Sequence, residues 1–260
     1  MGLIGDPISQ IMTPTFINPI FSNQRFDIIC IPLHISDTEL ETAWDGMKAI
    51  KSIIGFGVTL PHKKSISNLC DNLDPLAKHV GAVNLVRREK DGSFCGYQFD
   101  GKGFIRGLKK RGHNVKGRNC LLLGAGGVGM AIAFALADEG VENLTILNRS
   151  KSKAIDLAER LNEAHGRPFV TTNFDNLRNG QVIINATSLG LKEKDPVPIK
   201  TNKIDSSMLV ADVVAKPEIT PLLSEARNRG AEIHSGIHMI TGQIDLIASH
   251  LAVLWGKNET

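Results

Sequence analysis

One stretch near the middle of the chain restricts its possible folds more than any other. The apolar run Cys120-Leu121-Leu122-Leu123 ends in Gly124-Ala125-Gly126-Gly127-Val128-Gly129, and an Ala- and Leu-rich segment, Met130 to Asp138, follows. The run is bounded by turn residues and reads as a buried strand. The segment after the glycines has high helix propensity and meets a suitable stop at Gly140. Strand, glycine turn and helix in that order open a βαβ unit, and Asn143 to Leu147 supplies a second strand at the right distance. In such a unit Gly124 makes the tight turn, Gly126 lets the backbone approach a pyrophosphate, and Gly129 permits close packing of helix on strand. The phosphates would sit at the positive end of the helix. A dinucleotide site is therefore expected over Gly124, Ala125, Gly126, Gly127, Val128 and Gly129.

The end of the second strand selects the dinucleotide. An acidic residue there bonds the ribose hydroxyls and favours NAD; this chain has Asn148-Arg149-Ser150-Lys151, with Lys153 close by. Arg149, Ser150 and Lys153 offer cationic and hydroxyl donors to a 2′-phosphate, so NADP is expected and NAD is the lesser option. The plainer alternative makes Arg149 and Lys153 the solvated start of a helix, Ala154 to Ala164, whose Ile155, Leu157, Ala158 and Leu161 have helical spacing. Strands at Phe169 to Thr171, Val182 to Ile184, Leu209 to Val214 and Ala231 to His234, with a helix at Pro221 to Arg229, predict a parallel sheet. The loop Asn185 to Gly190 leaves a strand at its carboxyl end, where open α/β sheets bind ligands, so Thr187 and Ser188 are expected to border the cofactor. A turn bonded to its own backbone is the competing reading of that loop.

In the first half, strand-like runs at Gly2 to Ile4, Asp27 to Pro32, Gly57 to Leu60 and Gly81 to Arg87 alternate with helical stretches, a second α/β unit without a glycine fingerprint. Gly57-Val58-Thr59-Leu60-Pro61-His62-Lys63 reads as a strand entering a helix with Pro61 in the first turn. Lys63 would face the positive helix end, which disfavours its ammonium form and makes it a candidate proton carrier; a solvent-facing lysine like Lys64 is the alternative. Asp100, ahead of an amphipathic helix, is a second candidate and also a natural N-cap.

A length of 260 residues accommodates two domains. Thirty basic against 27 acidic residues, a formal +3, exclude nucleic acid or an anionic membrane as the expected main partner. Cys30, Cys70, Cys95 and Cys120 are far apart without a C-x-x-C pair, which fits a reduced, cytoplasmic protein. No leader-like start and no run of roughly 18 uncharged apolar residues is present, so no membrane association is expected. Eight dispersed histidines and no cysteine cluster predict no metal site, and His62 and His238 read as scaffold or pocket-lining residues.

Taken in order, Val58-Thr59-Leu60-Pro61-His62-Lys63, Gly81-Ala82-Val83-Asn84, Phe99-Asp100-Gly101, the Gly124 to Gly129 turn, Asn148-Arg149-Ser150, Asn185-Ala186-Thr187-Ser188-Leu189-Gly190 and Gly236-x-x-Met239-x-x-x-Gln243 resemble the shikimate dehydrogenase family. The matches begin at Gly5-Asp6-Pro7-Ile8 and cover almost the whole chain. The resemblance implies two α/β domains: a substrate-binding catalytic domain over 1–101, completed by a C-terminal helix 238–260, and a Rossmann-type NADP-binding domain over 102–237. It implies hydride transfer between the nicotinamide and a ring secondary alcohol or ketone of a cyclic hydroxy acid such as shikimate or quinate, by a monomer or homodimer. Lys63 and Asp100 match the catalytic pair, the lysine carrying the proton and the aspartate orienting it. Thr13, Thr59, Asn84 and Gln243 match substrate-binding positions, while Val213, Gly236 and Met239 match cofactor positions.

Four departures thin the polar contacts. Ile11-Met12-Thr13-Pro14 stands where the family shows Ser-x-Ser-Pro, Gly57 replaces an asparagine, Phe99 a threonine and Ala215 a tyrosine. Each lost partner of a buried polar group costs about 1–3 kcal/mol. Two further readings stay open: the same fold serving a more apolar hydroxy compound, and a cofactor-sensing module without turnover, against which the intact Lys63 and Asp100 argue.

Overall fold

The computed structural model describes residues 1–9 and 11–255. It divides into two compact units: Met1–Phe99 together with the chain from Gln243 on, and Asp100–Gly242.

In the first unit the chain runs β1 (Gly2–Gly5), α1 (Thr13–Asn23), β2 (Ile31–His34), α2 (Leu40–Ala49), β3 (Gly55–Val58), α3 (Lys63–Leu69), β4 (Asn72–Leu73), α4 (Pro75–Val80), β5 (Leu85–Arg88) and β6 (Phe94–Tyr97). The strands form one mixed sheet in the order β2-β1-β3-β5-β6-β4. Alternation along each strand splits its side chains between two cores. Ile4, Phe56, Val58 and Val86 meet Trp44 and Met47 of α2, where Trp44, Phe56 and Phe94 pack ring to ring. Leu3 and Leu85 turn to the opposite face, onto Ile17 and Phe21 of α1.

Three expectations for this unit shift. The apolar run from Asp27 becomes a strand only at Ile31, because the Asn18 side chain occupies both backbone groups of Cys30: its Oδ1 accepts from the Cys30 amide at 2.7 Å and its Nδ2 donates to the carbonyl at 3.0 Å. Gly81 is not strand but the left-handed cap of α4, at φ +68°. Pro61 precedes the helix it was expected to enter: β3 ends at Val58, the Leu60-Pro61 peptide is cis, and α3 starts at Lys63. β2 is a sheet edge; the amides of Ile31 and Ile35 point at β1, so by alternation Pro32 and His34 face outward.

The second unit runs α5 (Asp100–Lys110), β7 (Asn119–Leu123), α6 (Gly127–Asp138), β8 (Asn143–Leu147), α7 (Lys151–His165), β9 (Val170–Thr171), β10 (Val182–Asn185), β11 (Leu209–Asp212), α8 (Pro221–Asn228) and β12 (Glu232–His234), then the start of α9 (Ile237–Trp255). Its sheet is parallel in the order β12-β11-β10-β7-β8-β9. That is the doubly wound Rossmann order, with the topological switch between β7 and β10. Cys120, Leu121, Leu122, Val182, Ile183 and Ile184 are all buried, the reason these strands read as unbroken apolar runs. β11 stops at Asp212, two residues short of the expected Val214, because the Asp212 side chain takes the Val214 amide.

α9 is long and apolar enough, by length and composition, to cross a membrane. Its Ile244, Ile247, Ala248 and Leu251 lie in the apolar core with Leu3, Ile17 and Phe21, which makes it a core helix. The portion of the expected C-terminal helix over 256–260 lies outside the described residues.

Candidate functional site

In the second unit the carboxyl ends of β7, β8 and β10 open onto a cavity of about 580 Å³, walled among others by Gly124, Asn148, Arg149, Lys151, Ile155, Thr187 and Leu189. The glycine turn meets this wall at Gly124. Gly124 has φ +109°, a left-handed conformation that glycine alone adopts cheaply, and donates its amide to Leu147 O at 2.7 Å. A side chain on Gly129 would collide with the Gly124 carbonyl, whereas one on the exposed Gly126 would meet nothing within 4 Å. The first position is thus fixed by packing of helix on turn, and the second leaves open approach to the backbone. Gly126 caps α6 without a side-chain bond, and Gly127 and Val128 begin the helix, so their amides face outward unclaimed by a cap. The Ala125 amide donates to Asn148 Oδ1 at 3.1 Å, tying the turn to the end of β8.

The sequence-predicted dinucleotide residues come together unevenly. Gly124, Asn148, Arg149 and Thr187 wall the cavity. Ser150 hydrogen-bonds Ser152 across 2.9 Å in place of capping α7, while Lys153 and Ser188 are exposed and lie off the wall. Lys151, Thr172 and Asn173 also wall the cavity, although no local pattern singles them out. Among the described residues Arg149 and Lys151 have no acidic partner. Uncapped helix amides, two uncompensated cations and a glycine-lined approach fit a dinucleotide carrying phosphates, and the absence of an acid at the end of β8 suits a 2′-phosphate. Val213, Gly236 and Met239 form a second group in this unit. A side chain on Gly236 would strike the Val213 and Val214 carbonyls, and Met239, buried in the first turn of α9, donates its amide to Gly236 O at 3.1 Å.

Behind the cavity lies a buried network that the sequence reading missed. Asp212 accepts from Asn185, Thr220 and the Val214 amide, and Asn185 in turn holds Thr187. Burial pushes the Asp212 carboxyl up to about 6 despite those bonds. An aspartate ending the apolar run Leu209-Val210-Ala211 was the available signal.

The first unit holds the other candidates. Lys63, in the first turn of α3, is 8% exposed, and its carbonyl accepts from the Val83 amide at 2.9 Å. Next along the chain from Val83, Asn84 donates from Nδ2 to Gln243 Oε1 of α9 at 2.7 Å and accepts the Phe99 amide on Oδ1 at 2.8 Å. Thr59 and Thr13 are half-buried; the Thr59 methyl and the Ile11 side chain crowd the space over Gly5. The departures from the family pattern have apolar neighbours: Ile11 and Phe99 pack on the Leu3 to Leu251 core, and a side chain at Gly57 would run into Leu3. Asp100, 2% exposed in the first turn of α5, belongs to the second unit. His62 is fully buried with Nε2 bonded to Ile35 O at 2.7 Å and Nδ1 3.0 Å from the Asp37 carboxylate, a scaffold role.

Comparison with known proteins gives the same assignment along the length of the chain. The model of the shikimate dehydrogenase substrate binding domain matches residues 3–86, and that of shikimate / quinate 5-dehydrogenase matches residues 107–230. The shikimate dehydrogenase (NADP(+)) of Rubrobacter xylanophilus is 36% identical over 247 residues, 94% of this chain and 87% of the relative. A crystal structure of a shikimate dehydrogenase in complex with NADP+ superposes with a TM-score of 0.86 at 31% identity, over 98% of this chain and 90% of that one. The ligand-free 5-ketofructose reductase of a Gluconobacter species superposes with a TM-score of 0.82 at 29% identity, over 99% and 92%. With its two α/β units, its Rossmann strand order and matches at this identity over nearly its full length, the chain belongs to the shikimate dehydrogenase family.

Proposed function

We propose that this protein transfers hydride between NADP and the ring secondary alcohol or ketone of a small cyclic hydroxy acid, of which shikimate and quinate are the first to try. The observation that carries this reading is the cavity where the glycine turn meets Arg149 and Lys151, in a chain of this family. The nicotinamide, when bound, accepts or supplies the hydride; the proton is left to the chain. Lys63 takes it from the alcohol or delivers it to the ketone oxygen, and Asp100 supports the charge of the lysine. Gln243, whose Oε1 accepts from Asn84, turns its Nε2 donors to a substrate hydroxyl, and Asn84, Thr13 and Thr59 complete the polar contacts.

The test is initial rates of NADP and NAD reduction with shikimate and with quinate, wild type beside Lys63→Ala. Wild type is expected to reduce NADP, and the variant to lose about 10²–10⁴-fold in kcat, the usual weight of a positioned proton carrier, with NADPH affinity kept. Unchanged turnover in the variant removes the lysine from the mechanism. No turnover on either acid, with NADPH still bound, moves the substrate to a more apolar hydroxy compound, the direction in which Ile11 and Phe99 point.

A further inference from the structure

Asp212 is fully buried at the end of β11. A carboxylate out of water needs donors, and three elements bring them. Asn185 Nδ2 of β10 lies 3.1 Å from both oxygens, Thr220 Oγ1 at the cap of α8 lies at 2.8 Å, and the Val214 amide at 2.9 Å. An ionised carboxylate only accepts, so it takes the Nδ2 end of the Asn185 amide, a nitrogen that also donates to Leu189 O at 3.0 Å, and Oδ1 faces outward. That Oδ1 accepts from the Thr187 amide at 3.1 Å and the Thr187 hydroxyl at 2.7 Å, and the hydroxyl oxygen accepts from the Leu189 amide at 3.1 Å. Thr187 and Leu189 are walls of the cavity assigned to the cofactor.

We propose that Asp212 is a positioning residue for cofactor binding, its charge setting the Asn185 amide and through it the Thr187 to Leu189 wall. The inference rests on the reading of that cavity as the NADP site. A protonated Asp212 carries a donor of its own and accepts less strongly from Nδ2, leaving Leu189 O as the main hold on that nitrogen and loosening the Asn185 amide on which the Thr187 bonds rest. The carboxyl, raised by burial to about 6, changes state within reach of ordinary buffers. None of its hydrogen-bond partners on β10, α8 or the following turn titrates. His234 of β12 pairs opposite Ala211 and so projects from the other face of the sheet, Glu225 of α8 is bonded to Thr201, and Lys216 and Glu218 are exposed on the turn beyond.

The experiment measures NADPH affinity and steady-state constants for wild type and Asp212→Asn from about pH 5 to pH 8. At the upper end the variant is expected to bind NADPH about tenfold more weakly, the weight of one hydrogen bond to a charged group, with KM for NADP raised and kcat little changed. Toward the lower end wild type loses affinity and the two converge. The 2′-phosphate of NADPH titrates in the same range but is common to both proteins, so their ratio is the readout. Should Asp212→Asn fail to fold, the wild-type affinity for NADH, which lacks that phosphate, carries the test: it is expected to fall below about pH 6. Equal affinities at high pH, a ratio that does not change with pH, or a flat NADH profile overturns the inference alone. Failure of wild type to bind either dinucleotide overturns the cofactor reading and the inference with it.

Discussion

Arg149 and Lys151 are two cations on one cavity wall without an acid beside them among the described residues, and that imbalance is specific in what it can reward. A hydrogen bond from guanidinium to phosphate contributes about 1.5–3 kcal/mol, so Arg149→Ala is expected to lower kcat/KM for NADP by about ten- to a hundredfold. NAD, lacking the phosphate, should be nearly unaffected, and parallel initial rates with the two dinucleotides measure the difference. Arg149 was legible because its meaning comes from chain order alone, directly after a strand that follows a glycine turn. Lys151 was not, since which lysine of the first turn of α7 points to the cavity depends on how that helix is rotated against the sheet. Asp212 was illegible for a related reason. Its burial is made tolerable by Asn185 and Thr220, 27 residues before it and 8 after, and no local pattern announces such partners.

At the join of β12 and α9, a group of histidines makes stability depend on pH. His234 is buried with both ring nitrogens unpartnered among the described residues; its ring lies 4.8 Å from that of His238 and 5.6 Å from that of His113. Burial first, then the charges of His238, His113 and Arg111, push His234 down to about 3. The unfolded chain therefore binds a proton between about pH 6.5 and 3 that the folded one refuses, and stability falls as pH falls through that window by up to about 1.4 kcal/mol per unit. Asp212, raised in the folded state, works in the opposite direction, which makes the difference between two proteins the useful quantity. His234→Leu, replacing an imidazole with no hydrogen bond among the described residues, is expected to lose less stability than wild type between pH 7 and pH 5 in urea unfolding. The sequence spaces His234 and His238 four apart on a strand end and a helix start, but dispersal of the other histidines along the chain hid a cluster that the fold assembles. Strand ends were misread for the same kind of reason: Cys30 reads as strand by its apolar neighbours and is claimed by an amide twelve residues earlier.

Across the molecule, the second unit was the easier to read. Strands buried on both faces announce themselves as unbroken apolar runs, and one glycine turn marks the first βαβ unit. The first unit mixes parallel and antiparallel pairs of two to four residues, too short for a period to show, and family resemblance supplied what its pattern could not. Because the glycine turn and the cavity both belong to the unit Asp100–Gly242, NADP is expected to slow amide exchange most in β7, β8 and β10. Exchange measured with and without saturating NADP checks this; at a hundredfold excess over Kd the global opening should become about 2.7 kcal/mol harder. The outer rim of the first sheet carries a different lesson. There Ile29 and Ile31 stand 65% and 49% exposed beside the outward-facing Pro32. A proline has no amide hydrogen to offer an arriving strand. An arriving strand therefore finds a bond missing along β2, so this edge of the folded protein resists extension by a second chain.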